Sequence, residues 1–539
     1  MHAARRAGWA VAAVTAVALT AAACGDGRGD GIVRASWGDP QNQLEPANTV
    51  DVRGGTVLDL IFTGLKEYDP NTGEAVDAMA ESIETDDQQT FTVRIKRGWT
   101  FSDGTEVTAD SFVDAWNYGA HLKNNQVASP VFRFVKGYED VHPDEQGEKP
   151  TADRMSGLEV VDDHTFRVVL AQKFSLWPQT LGYPAYAPLP RAFFDDHDTW
   201  LDKPVGNGPY QVSSYDRGKS MRLARYEHYS GADKARNAGV ELIVYTDNHT
   251  AYTDLQAGNL DVIDDIPAPE IRNVENDLEG RFINQPAGII ETISFPLYRK
   301  EWQGPAAAAV RRGISMAIDR EEIIDKIYGD TRTAARDWTS PVLGKSGGYE
   351  KDLCGQSCTH DPGRSRRLIE EGGGLPGGSI TLTGNVDSGS NRLWMDAVCN
   401  SINKVMDDNK ACLVVPVGTF ARFREQVSAR RMTGMFLTGW QMDYPLIQNF
   451  LQPIYYTGSA ANDSGYSNPR FDRLVDEGNA SPGHQQAIER FKDAESLLVE
   501  SFPVIPVWYR NGTVGYSNNV DNVRLNPFSV PVFTEITVG

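Results

Sequence analysis

Alternation of apolar and polar side chains predicts several short strands along the chain. In residues 90–96 (TFTVRIK) and 164–170 (HTFRVVL) apolar side chains occupy every second position, the period of a half-buried strand. A turn at residues 102–105 (SDGT) follows the first of them. Three more segments are predicted as strands, the last of them buried: 32–37, 220–225 and 435–440.

Other segments have the spacing of amphipathic helices. Thr108 is a capping residue before a segment in which Phe112, Val113 and Trp116 share one face. Residues 310–324 predict a helix, a turn and a second helix, and two further segments, 57–64 and 393–406, predict single helices. Strands and helices are mixed along the chain, and no repeat of 20–50 residues occurs.

The N-terminus has the pattern of a secretory signal peptide. Arg5 and Arg6 precede a run of small apolar residues that ends before Cys24 and contains no acidic residue. We therefore assign residues 1–23 to a signal peptide and predict lipidation of Cys24. The match is imperfect, because Ala21 stands where lipoprotein signals usually have leucine. The alternative is an ordinary export signal that is cut near residue 23.

Charge and length limit the classes of partner. Removal of residues 1–23 leaves 516 of 539 residues, which is enough for two or three domains. Of the 52 Lys and Arg residues, Arg5 and Arg6 are removed, so 50 remain against 73 Asp and Glu, a net charge near −23. Such a surface repels nucleic acid and anionic lipid. Contact with a membrane must then come from a lipid on Cys24.

Four cysteines follow Cys24, and an even number in an exported chain favours disulfides. Four cysteines permit three pairings. We favour Cys354–Cys358 and Cys399–Cys412 because each pair is local in sequence. Zinc is the alternative, with His360 close to Cys358, but the second pair of ligands at finger-like spacing is missing.

Gly206 and Gly208 resemble the glycines of a phosphate loop. No Lys-Ser or Lys-Thr pair follows them and no helix is predicted to begin there, which argues against a phosphate site. We expect these glycines to let the chain reverse where it passes between domains.

Five phrases, spread in order over nearly the whole mature chain, resemble the extracellular solute-binding proteins of peptide ABC importers, the oligopeptide- and dipeptide-binding family (solute-binding family 5). One such phrase would be weak evidence, whereas five in the family's order are strong. They are residues 97–111 (RGWTFSDGTEVTADS), 206–210 (GNGPY), 317–321 (AIDRE), 439–445 (GWQMDYP) and 502–506 (FPVIP).

This resemblance implies an α/β, two-lobed periplasmic-binding-protein-like fold of the cluster C type. Two lobes surround a cleft, and an additional domain is inserted in the first lobe. We place lobe I in three separated segments (24–77, 199–291 and 509–539), the inserted domain in 78–198 and lobe II in 292–508. Closure of the lobes is expected to bury the ligand, and the permease to recognise the closed form.

The resemblance also implies the chemistry of the cleft. An extended peptide can be bound whatever its sequence if the protein pairs with its backbone and neutralises its ends. The family's tryptophan-x-x-aspartate motif gives Trp440 and Asp443 here, and Asp443 is expected to bind the ligand's ammonium group. Trp440 either lines a side-chain pocket or packs in the core, and Tyr444 is a further candidate. The alternative for Asp443 is the capping of a turn before Pro445.

The residue for the ligand's carboxylate is less defined. In dipeptide binders of the family an arginine follows the strand that corresponds to residues 380–383. This chain has GNVDSG at 384–389 instead, which argues against a strict dipeptide clamp. Arg392 and Arg424 are the nearby candidates. Asp103 with Gly104 is expected to form only a turn, and Asp319 with Arg320 to cap a helix.

The sequence therefore predicts a lipoprotein that captures extracellular peptides and delivers them to the transmembrane subunits of an ABC permease. It is expected to be a monomer on the outer face of the cytoplasmic membrane, without cofactor, metal or nucleic-acid partner. Neither G-x-S-x-G nor H-E-x-x-H occurs, which argues against an enzyme. The alternative ligands on the same fold are a nickel complex, haem or an oligosaccharide, for which Asp443 would have another role.

Overall fold

A computed structural model describes residues 30–143, 147–267, 269–386 and 390–539. Cys24 and the predicted signal peptide lie outside the described residues. No helix in these four ranges combines the length and apolar character needed to cross a membrane.

The described strands, in chain order, are β1 (Ile32–Trp37), β2 (Lys66–Tyr68), β3 (Ala75–Asp77), β4 (Ala80–Glu84), β5 (Thr90–Ile95), β6 (Leu158–Asp162), β7 (Thr165–Val169), β8 (Tyr210–Asp216), β9 (Ser220–Arg225), β10 (Gly239–Val244), β11 (Val262–Ile263), β12 (Phe282–Ser294), β13 (Arg332–Ala334), β14 (Ile380–Asn385), β15 (Cys412–Val417), β16 (Met435–Gln441), β17 (Val504–Tyr516), β18 (Val520–Asp521) and β19 (Thr537–Val538).

The described α-helices are α1 (Val52–Ile61), α2 (Ala109–Ala120), α3 (Tyr138–Val141), α4 (Arg191–Asp195), α5 (His197–Asp202), α6 (Asn248–Gln256), α7 (Val274–Asp277), α8 (Gly304–Ala317), α9 (Arg320–Ile327), α10 (Pro362–Glu371), α11 (Asn391–Met406), α12 (Phe420–Ser428), α13 (Ile447–Tyr455), α14 (Pro469–Asn479) and α15 (His484–Ser501). Short 3-10 turns connect some of these elements.

One large sheet runs through the molecule in the order β15-β14-β16-β12-β17-β11-β1-β10-β9-β8, with β13 added beside β17. Its centre is the antiparallel pair β12 and β17, each 13 residues long. On one side β12 pairs with β16, and β14 pairs in parallel with β15 and β16. On the other side β17 continues through β11 to β1 and β10. The two central strands therefore join two halves of the sheet.

A separate four-stranded antiparallel sheet has the order β4-β5-β7-β6. The two alternating segments of the sequence form its central pair, β5 and β7, as the period of two predicted. Helix α2 packs on it through Phe112 and Trp116, which contact Phe166 with ring centroids 5.8 and 5.6 Å apart. The predicted capping at Thr108 is present, since its N–H donates to Ser111 Oγ at 3.2 Å.

The prediction of a helix over residues 57–64 was wrong in its bounds, because α1 covers Val52–Ile61. Its first turn is capped by Asp51, whose Oδ1 accepts the N–H of Gly54 at 3.1 Å. Two consecutive glycines in this turn are poor helix formers, so helix propensity does not indicate that α1 begins here. The cap and the burial of the apolar face outweigh that cost.

The expected role of Gly206 and Gly208 in reversing the chain was also wrong. Neither has a left-handed backbone, and both pack directly against the end of α1. A Cβ at Gly206 would lie 1.9 Å from the carbonyl oxygen of Ile61. Between them, Asn207 is fully buried and bonds the backbone of Thr63, accepting from its N–H at 3.2 Å and donating to its oxygen at 2.9 Å. The glycines permit this close approach.

Helices α8 and α9 form the predicted helix, turn and helix. Asp319 caps α9, since its carboxylate accepts the N–H of Glu322 at 3.1 Å. Arg320 also caps a helix, since its Nη1 donates to the carbonyl oxygen of Ser315, in the last turn of α8, at 3.0 Å. Its buried guanidinium donates to the carbonyl oxygen of Pro506 at 2.8 and 3.0 Å and ties α9 to the sheet. Asp103 makes the expected turn, accepting the N–H of Thr105 at 2.9 Å.

Both predicted disulfides are present in the structure. Cys354 and Cys358 are joined with their Cα atoms 5.7 Å apart. Cys399 on α11 is joined to Cys412 at the start of β15, with Cα atoms 4.9 Å apart. The second bridge fastens a helix to the edge strand of the large sheet.

A carboxyl group of α15 is buried beside a second carboxyl group from the loop after β13. Glu495 and Asp337 are both fully buried. Glu495 accepts the N–H of Trp338 at 3.2 Å, and Asp337 accepts the N–H of Leu353 at 2.6 Å. Burial, reinforced by the charge of Asp337, raises the pKa of Glu495 to about 8. At neutral pH the folded protein therefore holds a proton on Glu495.

This proton gives stability a defined pH dependence. Between an unfolded pKa of 4.5 and a folded pKa of about 8, the folded state binds one proton more than the unfolded state, so stability falls as pH rises. The slope from Glu495 is at most about 1.4 kcal/mol per pH unit. In calorimetric melting, the Tm of Glu495→Gln minus the Tm of wild type should be larger at pH 8 than at pH 5. Exposed Glu489 on the same helix provides the control Glu489→Gln. If the Tm difference between Glu495→Gln and wild type is the same at both pH values, Glu495 does not hold the proton.

Candidate functional site

The loop that follows β16 is fixed by one side chain of the next helix. Asn449 lies in the first turn of α13 and is 1% exposed. Its Oδ1 accepts the N–H of Asp443 at 2.9 Å, and its Nδ2 donates to Asp443 Oδ2 at 2.9 Å. This two-point contact holds the Asp443 carboxylate in one orientation.

The same amide also holds the tryptophan of the motif. Trp440 Nε1 donates to Asn449 Oδ1 at 3.0 Å. Asn449 thus connects both ends of the tryptophan-x-x-aspartate segment, in which Trp440 is half-buried. Sequence reasoning missed Asn449, because an asparagine six residues beyond Asp443 has no local signal that would mark it as a clamp.

The Asp443 carboxylate is desolvated without an opposite charge. Burial raises its pKa to about 6, although the hydrogen bond from Asn449 acts in the opposite direction. The side chain keeps some solvent contact, and no ion pair within the four described ranges includes it. An ionised carboxylate in such a place is a strong acceptor for a cation that brings its own hydrogen-bond donors.

Three tyrosines surround this carboxylate, and sequence reasoning found only Tyr444. Burial is the main cause that raises the pKa of Tyr183, followed by the charge of Asp443. Burial and the same carboxylate also raise the pKa of Tyr444. In Tyr68 the charge of Asp443 is a smaller cause, after burial and Tyr444. The phenols therefore stay neutral, and Tyr444 donates to Gln448 Oε1 at 2.8 Å.

Tyr68 and Tyr183 also line a cavity of about 180 Å³, the tyrosine cavity, together with Asp59, Glu67 and Tyr229. Burial, with a smaller contribution from Glu67, raises the pKa of Asp59 to about 7. Burial also raises the pKa of Glu67. Sequence reasoning missed both carboxyls. The cavity near Asp443 therefore holds two carboxyls that burial drives towards the neutral form, and it is lined by aromatic rings, whose faces suit a cation.

On another side of β16, Trp440 lines a cavity of about 330 Å³, the tryptophan cavity, with Trp394 and Phe423. Arg424 lies in its wall and forms a bidentate ion pair with Asp463, at 2.6 and 3.1 Å. Trp440 thus lines a pocket. Arg424 reaches the same pocket, but with its charge already paired.

The other predicted arginine lies apart from these cavities. Arg392 is in the first turn of α11, half exposed, and donates to Asp396 at 2.7 Å one turn along the same helix. The structure therefore brings Asp443, Trp440 and Tyr444 together and does not bring Arg392 to them.

One edge of β16 is open beside the tryptophan cavity. β16 pairs with β12 from Phe436 to Gln441, whereas β14 pairs with only its first two residues, Met435 and Phe436. Within the described residues, the backbone from residue 437 to 441 has no strand on that side. An extended chain placed there could continue the sheet.

A third cavity of about 210 Å³, the arginine cavity, lies where the two halves of the large sheet meet. Its lining includes Trp37, Arg53, Asp264, Gln441 and Arg510. Gln441 is two residues from Asp443, so this cavity begins next to the proposed ammonium site.

Comparison with known proteins agrees with this architecture. The family model described as bacterial extracellular solute-binding proteins, family 5 Middle, matches residues 74–462. The oligopeptide-binding protein OppA of Bacillus subtilis is 23% identical and is matched over 89% of this chain and 88% of its own. The heme-binding protein A of Haemophilus influenzae is 22% identical and is matched over 89% of this chain and 87% of its own.

Solved structures show the same fold. The protein DppA of Helicobacter pylori, in complex with the peptide STSA, superposes with a TM-score of 0.77 at 17% identity, covering 94% of this chain and 98% of the other. Such a likeness supports the predicted α/β fold with two lobes. Because the family model covers well over half of the chain, this protein belongs to family 5 of the bacterial extracellular solute-binding proteins.

Proposed function

We propose that this protein captures short peptides outside the cell and delivers them to the membrane subunits of an ABC importer. The single observation that carries this proposal is Asp443, a desolvated carboxylate that Asn449 orients and no described cation neutralises. Relatives named as oligopeptide- and dipeptide-binding proteins support it. No catalytic role is proposed.

The chemistry of a peptide N-terminus fits the surroundings of Asp443. An α-ammonium group brings three N–H donors and one positive charge to a carboxylate that lacks an ionic partner. The open edge of β16 provides backbone groups for the residues that follow, whatever their side chains. Trp440 and the tryptophan cavity would then receive a side chain, while Tyr444 and its neighbours exclude water.

Closure of two lobes would complete the site. β12 and β17 run through both halves of the sheet, and we propose that lobe I (24–77, 199–291 and 509–539) and lobe II (292–508) move about them. The inserted domain is proposed as residues 78–198. The closed form would then be the state that the permease recognises.

The first prediction concerns the ammonium contact. Asp443→Asn keeps the shape and the bonds to Asn449 but loses the charge, and truncation of a buried charge pair costs about 2–5 kcal/mol. In calorimetry, affinity for trialanine should fall roughly thirtyfold or more. N-acetylation of the peptide should lower wild-type affinity by a similar factor and have little further effect on Asp443→Asn.

The matched control is Asp493→Asn, which changes an exposed aspartate on α15. It should bind trialanine like wild type. Equal binding of free and acetylated peptides by wild type would contradict the role of Asp443. If di- to hexapeptides and glutathione all fail to bind while haem, a nickel chelate or an oligosaccharide binds, the peptide proposal itself is wrong.

A second prediction follows from the pKa of Asp443. Because this pKa is about 6 without ligand, the carboxyl must lose a proton before it can pair with an ammonium at lower pH. Peptide affinity should be greatest near pH 7, between this pKa and that of the peptide's α-ammonium group, and fall about tenfold per pH unit well below pH 6. Titrations at pH 7.5, 6.0 and 5.0 test this, and Asp443→Asn should lose this part of the dependence. Identical pH profiles for wild type and variant would count against it.

The third prediction concerns attachment to the membrane. We propose that Cys24 carries a lipid that holds the protein on the outer face of the cytoplasmic membrane. Cys24→Ser should therefore move the protein from the membrane fraction into the medium, as measured by quantitative blotting of both fractions. Cys354→Ser with Cys358→Ser, which removes a disulfide instead, should leave the fractionation unchanged. Retention of Cys24→Ser in the membrane fraction would exclude a lipid anchor at this position.

A further inference from the structure

A row of three side chains crosses the centre of the large sheet. Arg510 on β17 is in register with Ile289 on β12, and Ile289 is in register with Gln441 on β16. Residues in register share one face of a sheet, and all three line the arginine cavity. Arg510 is therefore aimed into the same space as the end of β16 that leads to Asp443.

The guanidinium of Arg510 lacks a partner. It is half-buried, and within the described ranges no hydrogen bond or ion pair involves its side chain. The buried arginines elsewhere behave differently: Arg311 donates to the carbonyl oxygen of Phe502 at 2.8 Å and Arg320 to that of Pro506. The five N–H donors of the Arg510 guanidinium therefore remain available to a ligand in this cavity.

A second guanidinium lines the same cavity. Arg53 on α1 lies so close to Gly38 that a Cβ there would be 2.7 Å from its Cζ, so the glycine makes room for it. Asp264 also lines the cavity: no ion pair within 4.0 Å joins it to either arginine, and burial raises its pKa to about 6 although the charges of Arg510 and Arg53 lower it. Asp265 is engaged by Asn248, which donates to it at 2.6 Å. Both guanidiniums remain available to an anion.

We propose that Arg510, supported by Arg53, binds the C-terminal carboxylate of the ligand. This inference rests on the proposed function and narrows it to short peptides with a free C-terminus. The role falls to a strand residue near the C-terminal end of the chain, and neither Arg392 nor Arg424 is needed for it.

The register of the sheet limits the length of such a peptide. Two steps between adjacent strands separate Arg510 from Gln441 by about 10 Å. Two further residues lead to Asp443 and add at most about 7 Å. The total of about 17 Å corresponds to roughly five extended residues. This total is an upper limit, and both side chains reach into the gap, so peptides of about three to five residues can bridge Asp443 and Arg510.

The test compares a carboxylate with an amide at the end of the same peptide. Calorimetry should use trialanine and trialanine amide with wild type, Arg510→Gln, Arg510→Lys and the control Arg490→Gln, which changes an exposed arginine on α15. Wild type and Arg490→Gln should bind the acid about thirtyfold or more tightly than the amide. Arg510→Gln should reduce this ratio to about one, and Arg510→Lys should restore part of it.

Two further arms locate the carboxylate. Octa-alanine and its amide should bind wild type equally, because the end of the longer peptide lies beyond Arg510. The amide of Ala-Asp-Ala tests whether a side-chain carboxylate replaces the terminal one, and it should bind no better than the amide of Ala-Asn-Ala.

The outcomes are distinct. If wild type prefers the acid and folded Arg510→Gln keeps the same ratio, Arg510 does not bind the carboxylate, while the proposed function stands. If wild type binds the acid and the amide equally, the inference about Arg510 fails while the proposed function stands. If no peptide binds wild type, the proposed function fails and the inference with it. A circular dichroism melt of Arg510→Gln that matches wild type shows that the variant is folded.

Discussion

The pairing of β12 with β17 is the constraint on which the rest of the molecule depends. Both strands have 13 residues and run antiparallel from Phe282↔Gly515 to Ser294↔Val504. One half of the large sheet is attached to β12 and the other to β17. Because a shift of one residue turns every side chain of a strand to the opposite face, a slip here would move Arg510 out of its cavity. The lining of the arginine cavity and the fold are thus set by one register.

Charge is distributed differently in the core and around the cleft. In the core, Arg311 and Arg320 are saturated by carbonyl oxygens, so their burial is compensated. Around the cleft, Asp443 is desolvated and Arg510 half-buried, and neither forms an ion pair within 4.0 Å among the described residues. An uncompensated charge in such a place lowers stability and raises the gain from a ligand that supplies the missing partner. These two side chains have opposite signs, which matches the two ends of a peptide.

Local sequence signals predicted local structure well. The alternating segments became β5 and β7, the helix pair became α8 and α9, and neighbouring cysteines are bridged. The resemblance to family 5 supplied the fold and the family, both of which the comparisons support. It also supplied Asp443, whose role as ligand-binding residue stays a prediction.

The rest could not be predicted because it depends on residues far apart in the chain. Asn449 can only be recognised once α13 folds back on the preceding loop, and Arg510 only once β17 lies between β12 and β11. The true function of Gly206 follows from contact with Ile61, about 145 residues earlier in the chain. Period and propensity contain no information on such contacts.

The position of β17 in the chain has a consequence for the order of assembly. This strand occupies residues 504–516 of 539, yet it lies in the middle of the large sheet. Pairings between distant parts of a chain form slowly, and this one cannot form before the last part of the polypeptide has been synthesised. The arginine cavity, to which Arg510 on β17 contributes, is therefore completed only when the C-terminal part of the chain has joined the sheet.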